Sequence, residues 1–320
     1  MHRFLLLLLG CIAALSGFCR SLQLPGRACL IEGITYKQTP QGPLAVDVFL
    51  PDSASTAVRP VFLFIHGGSW MELTRSTLRT GFRKVVLDSL LCAGYAVVSV
   101  DYRLVKHDGS VAYPAPLSDC KDAVRWIRRE ATRYHFDPQR IAVGGCSAGG
   151  HLAMLTAYTP DEMGQGETTL SDYSARVNCC IDIYGPTYLG SLLHPNLVGP
   201  PLWLARLFFS KNTLRMREAL LQAFTQESGR HPLRRKRACR SYSPLEYTSG
   251  AVPTLILHGN KDRVVPFSQA KRLRKALEKA SVSYEWVPLA GEDHSFPTLT
   301  SEGKASVAAH VRRFADAHLR

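Results

Sequence analysis

An alternating α/β fold, with a mostly parallel sheet covered by helices on both faces, is predicted by three features of this 320-residue sequence. Short runs that are apolar throughout, such as Val61–Ile65, or nearly so, such as Ala96–Val100 with its single Ser99, read as strands buried on both sides. Stretches of helical spacing lie between them, as in Phe82–Leu91. The length, with 46% hydrophobic residues, suffices for one large core and excludes a chain dominated by disorder.

The elements follow in order. Met1-His2-Arg3 is a short positive start, Phe4–Leu15 is apolar apart from Gly10, and Ser16, Gly17 and Cys19 follow. This predicts a secretory signal peptide over 1–19, cleaved after Ser16 or Cys19, and a secreted or periplasmic protein. A lipoprotein site at Cys11 is the minor alternative. No apolar run reaches the roughly 20 residues of a spanning helix. Residues 20–60 mix extended segments and turns, with Leu44–Leu50 alternating as a strand. Val61–Ile65 is a buried strand ending at His66-Gly67-Gly68. Phe82–Leu91 is a helix that Gly94 ends, and Ala96–Val100 a strand. Leu117–Tyr134 is expected to be one long amphipathic helix, with Cys120, Ala123, Val124, Ile127 and Ala131 on its apolar stripe. Ile141–Val143 is a strand, Leu152–Tyr158 a helix, and Val177–Tyr184 and Pro253–Leu257 are strands. Phe267–Ala280 is a helix, Tyr284–Pro288 a strand and Glu302–His318 a closing helix. The stretch from about 186 to 247 is far longer than a usual crossover, and is expected to be a helical cap on a single domain spanning 20–320.

Charge and cysteine narrow the class. The formal net charge is +13. Ten basic residues against Glu218 and Glu227 lie between Arg206 and Arg240, and five against Glu278 between Lys271 and Lys279. Such focus suits a solvated helix face and basic loop, or contact with a polyanion; nothing points to specific nucleic-acid binding. Nine cysteines over 320 positions exclude a disulfide miniprotein, and the lack of C-x-x-C excludes a zinc ribbon. Removal of the leader takes Cys11 and Cys19. The remaining seven read mostly as small buried side chains, with one or two disulfides open after export.

The strongest chemical signal is Gly145-Cys146-Ser147-Ala148-Gly149-Gly150, a G-x-S-x-G between a predicted strand and a predicted helix. A serine at the apex of a sharp strand-to-helix turn has its hydroxyl lifted from the sheet beside a helix N-terminus, and the turn needs small neighbours. His66-Gly67-Gly68-Ser69-Trp70 ends the preceding buried strand. The amides of Gly67, Gly68 and Ser69, with that of Ala148, are the candidate oxyanion hole. In the chain order of hydrolases the acid and base come later. Asp262 follows the strand Pro253–Leu257 and His294 follows Tyr284–Pro288, so Ser147, Asp262 and His294 are the candidate catalytic triad. Asp101 with Arg103 reads as a structural salt bridge, His66 as a structural hydrogen-bonder, His151 as tightening the turn, His258 as packing and Asp182 as a buried hydrogen-bonding residue. Cys146 is expected to point away from substrate, and Asp293 to diverge from His294. Neither a metal nor an organic cofactor is called for.

Further segments carry a resemblance: Tyr113-Pro-Ala-Pro116, Asp119–Trp126, Phe136–Ile141, Gly145–Ala153 and Leu255–Gly259. With the elbow they resemble the bacterial secreted esterase branch of the α/β-hydrolases, the acetyl-xylan and feruloyl esterase-like enzymes near the hormone-sensitive-lipase group. The resemblance implies a serine carboxylesterase acting on short-acyl or aromatic-acid esters, of sugars or polysaccharides, through an acyl-enzyme. Ser69 stands where that family often has a third glycine. Leu202, Trp203 and Phe208 are candidates for an acyl pocket. Two other readings compete: a related acyl hydrolase of arylformamidase or peptidase type, and a non-catalytic polyanion-binding homologue.

Overall fold

The computed structural model describes residues 22–319 apart from 53, 107, 195–210 and 226–231. The expected leader and the expected pocket residues Leu202, Trp203 and Phe208 lie outside the described residues. Eight strands form one sheet: β1 (Cys29–Thr39), β2 (Gly42–Leu50), β3 (Arg59–Ile65), β4 (Ala96–Val100), β5 (Phe136–Cys146), β6 (Cys179–Ile183), β7 (Thr254–Gly259) and β8 (Tyr284–Leu289). Their order is β1-β2-β4-β3-β5-β6-β7-β8. β2 runs antiparallel to both neighbours, and β3 to β8 are mutually parallel. This is an α/β-hydrolase fold. The described helices are α1 (Gly81–Cys92), α2 (Ala115–Arg129), α3 (Ala131–Tyr134), α4 (Ala148–Tyr158), α5 (Leu189–Leu193), α6 (Lys211–Thr225), α7 (Pro232–Ser241), α8 (Ser268–Lys279) and α9 (Ser301–Leu319).

Period-two geometry explains why a strand such as β3 is apolar at successive positions, since alternate side chains enter opposite cores. In β3, Val61, Leu63 and Ile65 enter one core beside Leu117, Val124 and Leu152, while Phe62 and Phe64 enter the other beside Leu87, Leu90 and Val311. Each such side chain contributes roughly 1.5–3 kcal/mol on burial. Register does the functional positioning. Ile65 pairs with Gly145, Cys146 with Ile183, and Gly259 with Leu289. The parallel strands therefore end along one edge of the sheet, and the loops leaving that edge meet.

Four expectations are corrected. β1 was not resolved from the mixed stretch 20–60; its exposed residues obscure the pattern. The helix expected over Leu117–Tyr134 begins at Ala115 and breaks at Glu130, so Ala131 belongs to the short α3. Nor does α2, amphipathic as expected, turn its charged face to solvent. Asp119, Lys121, Asp122 and Arg125 are buried with its apolar residues, and Lys37 bridges Asp119 and Asp122 at 2.7 and 2.6 Å. Asp101 and Arg103 are not partners: Asp101 pairs with Arg75, and Arg103 with Asp119 at 2.7 Å.

The insertion's described parts are helical. Phe224 of α6 stacks on Tyr113 at 4.2 Å and meets the Trp70 edge at 5.6 Å, and Arg235 of α7 pairs with Glu218 of α6.

Candidate active site

Ser147 sits between β5 and α4 with φ 55° and ψ −123°. A non-glycine residue avoids this region unless its surroundings hold it there. Here its amide donates to Ile183 O at 2.9 Å and its carbonyl accepts from His151 N at 3.0 Å. Close approach to β3 excludes a side chain at Gly149, where a Cβ would overlap Ile65 O and His66 O. The sharp turn thus follows from glycine at that point and the packed strand behind it.

The other two expected residues arrive from distant loops. Ser147 Oγ lies 3.0 Å from His294 Nε2, and His294 Nδ1 lies 2.8 Å from Asp262 Oδ2. The remaining acceptor, Asp262 Oδ1, takes the amides of Val264 and Val265 at 2.9 and 2.8 Å. Burial alone would make this carboxyl a weaker acid, but bonds from His258 and His294, with His294's charge and the Val265 amide, outweigh that and hold it well below the usual carboxylate range. An ionised Asp262 accepts a hydrogen bond from Nδ1–H, which leaves Nε2 as the acceptor for the serine hydroxyl. Asp293, adjacent to His294, does diverge: its Oδ1 accepts from the amides of Arg263 and His294 at 2.9 and 2.8 Å, tying the two loops together.

The glycine loop lies against the serine. A Cβ on Gly67 would come 2.8 Å from Cys146 O and 3.3 Å from Ser147 Cβ. Gly68, Ser69 and Trp70 follow with φ of 100°, 51° and 62°. None of the amides of Gly67, Gly68, Ser69 and Ala148 donates to a backbone carbonyl among the described residues. No backbone carbonyl among the described residues therefore competes for these four N–H groups.

Comparison with known proteins assigns the chain to a family. The BD-FAE family matches residues 46–277, which takes in the glycine loop, the elbow and Asp262. The chain belongs to the BD-FAE family. Its place among α/β-hydrolase esterases is supported by a match of residues 240–317 to the dienelactone hydrolase family. Esterase LipC of Mycobacterium tuberculosis is 30% identical over 84% of this chain, which spans 61% of LipC. Propionate-bound Est2 of Thermogutta terrifontis, an esterase, has a TM-score of 0.64 at 25% identity, over 91% of this chain and 93% of that one. A truncated carbohydrate esterase from gut microbiota has a TM-score of 0.68 at 21% identity, over 90% and 96%, a likeness of fold.

Around this BD-FAE site the secondary candidates sort themselves. Cys146 is buried, and burial pushes its thiol up to about 11. His258 is fully buried; its Nε2 lies 2.8 Å from Val265 O and 3.4 Å from Asp262 Oδ2, so it packs beneath the carboxylate. Asp182 accepts from Gly185 N at 2.9 Å, and burial raises it to about 7. His66 is the expected hydrogen-bonder, with Nδ1 2.8 Å from Gly67 O. His151 does something other than tighten the turn. Its Nδ1 accepts from Trp70 Nε1 at 3.3 Å and its Nε2 donates to Tyr242 O at 2.7 Å, joining glycine loop, elbow helix and insertion. Burial lowers it to about 4, so it remains neutral. Tyr102 went unnoticed at the sequence level, although Asp101 and Arg103 on either side of it were singled out.

Proposed function

We propose that the protein is a serine carboxylic ester hydrolase that works through an acyl-enzyme. The observation that carries this is the continuous line Asp262–His294–Ser147 beside amides with no backbone partner. In the first half-reaction Ser147 Oγ attacks the ester carbonyl and its proton passes to His294 Nε2. The oxyanion is held by Ala148 N–H and by Gly67, Gly68 or Ser69 N–H. His294 then gives the proton to the leaving alcohol. Water adds to the acyl group with His294 again taking a proton; the C–Oγ bond then breaks, His294 returns that proton to Ser147 Oγ, and the carboxylic acid leaves. Asp262 stays ionised throughout and stabilises the imidazolium.

Short-acyl or aromatic-acid esters, of sugars or polysaccharides, are the proposed substrates. The propionate held by Est2 supports the short acyl group, and the carbohydrate esterase neighbour is in keeping with a sugar ester. Secretion is proposed from the Met1–Cys19 leader and is tested by N-terminal sequencing of exported protein. The deciding assay is turnover of p-nitrophenyl acetate by the purified protein and by Ser147→Ala, which is expected to lose at least about a thousandfold in kcat. Equal rates would end the proposal. A panel of acetylated sugars, formamides and peptides run alongside identifies the preferred acyl compound.

A further inference from the structure

Tyr102 is 2% exposed, and its hydroxyl lies 3.1 Å from His66 O and 3.1 Å from Gly67 O. Its ring stacks on the His66 ring at 4.3 Å and 13°. Gly67 O accepts a second bond from His66 Nδ1 at 2.8 Å. A trans peptide is planar, so its C=O and the next N–H point in opposite directions. Fixing the His66 and Gly67 carbonyls therefore fixes the Gly67 and Gly68 N–H groups. These are two of the candidate oxyanion donors, in the segment that lies against Ser147.

We propose that Tyr102 is a positioning residue for the oxyanion hole: its one hydroxyl sets two successive peptide planes and so aims the Gly67 and Gly68 amides before substrate arrives. The inference rests on the ester hydrolase reading. Preorganisation is what such donors contribute, since an amide that must reorient during the reaction stabilises the oxyanion less. Three successive residues with positive φ, Gly68, Ser69 and Trp70, make a loop that needs restraint from outside. Tyr102 lies at the end of β4, next to β3, and supplies that restraint from the sheet.

The test compares Tyr102→Phe, which keeps the stacked ring and removes the donor, with Tyr158→Phe. Tyr158 is also a buried tyrosine, bonded to Thr254 Oγ1 at 2.7 Å away from the glycine loop. For Tyr102→Phe, kcat for p-nitrophenyl acetate is expected to fall by about tenfold or more with KM within about twofold, and the affinity for a trifluoromethyl ketone analogue to fall by a similar factor. Tyr158→Phe is expected to lose thermal stability while keeping kcat. p-Aminophenylalanine at position 102 restores a donor and is expected to recover most of the kcat. Should Tyr102→Phe be too unstable to assay, p-methylphenylalanine at 102, which has similar bulk and no donor, replaces it in the comparison. Loss of stability with unchanged kcat and analogue affinity would overturn the role of Tyr102 and leave the hydrolase reading standing. Wild-type protein without Ser147-dependent turnover would instead remove the reading beneath it.

Discussion

At the residue scale, Asp262 shows how a site's chemistry is set by which atoms face each other. One of its oxygens is committed to two backbone amides and the other to His294 Nδ1. Asp262→Asn would keep the shape but offer a donor where the imidazole needs an acceptor. The wrong tautomer would then face Ser147, and kcat is expected to fall by about ten-thousandfold with little change in KM, read in steady-state kinetics. Because Asp262 is held below the usual carboxylate range, it stays ionised as pH falls. Sequence order pointed to the three residues that the structure brings together, since each lies in the loop after a predicted strand. It misassigned Arg103, because the partner Asp119 is 16 positions away on α2. His151 was misread for the same reason: its partner Tyr242 is 91 positions away.

At the element scale, β6 carries a carboxyl beneath the elbow helix. Asp182 is fully buried, and burial raises it from the ordinary value to about 7. The folded state then holds a proton that the unfolded chain releases above about pH 4. Stability attributable to this group is full below about pH 4 and declines as pH rises towards about 7, at no more than about 1.4 kcal/mol per pH unit. Asp182→Asn keeps the acceptor for Gly185 N–H and removes the titration. Urea unfolding from pH 4 to 8 is expected to show the wild type losing stability relative to the variant; parallel profiles would contradict the assignment. The element pattern itself was largely legible, because each of β3 to β7 carries a run buried on both faces and mostly apolar, with Ser99, Asp182 and His258 as buried polar exceptions. β1 and the break at Glu130 were not, since an edge strand exposes half its residues and helical spacing continues across the break.

At the scale of the whole molecule, charge and thiols make two checkable statements. Part of the basic stretch is internal: Arg235 is buried against Glu218, whereas Arg234, Lys236 and Arg237 on α7 and Lys271, Arg272, Lys275 and Lys279 on α8 are exposed. We propose this as a polyanion-contacting surface. Retention on heparin should fall with salt and weaken on neutralising Arg234, Lys236 and Arg237; unchanged retention would remove the idea. All seven described cysteines are free, with Cys120, Cys146, Cys179, Cys180 and Cys239 buried. Reductant is therefore expected to move Tm by less than about 1 °C in thermal denaturation, since no cross-link joins the described residues.

The sequence by itself determined the parallel sheet, the elbow at Ser147 and the order in which serine, acid and base appear. These are local matters of periodicity, glycine placement and strand ends. Only the tertiary structure decided which charges pair, what His151 joins, and that one tyrosine hydroxyl grips two carbonyls of the glycine loop. Those contacts join side chains to distant segments, and their partners are chosen by how strands and helices pack rather than by spacing along the chain.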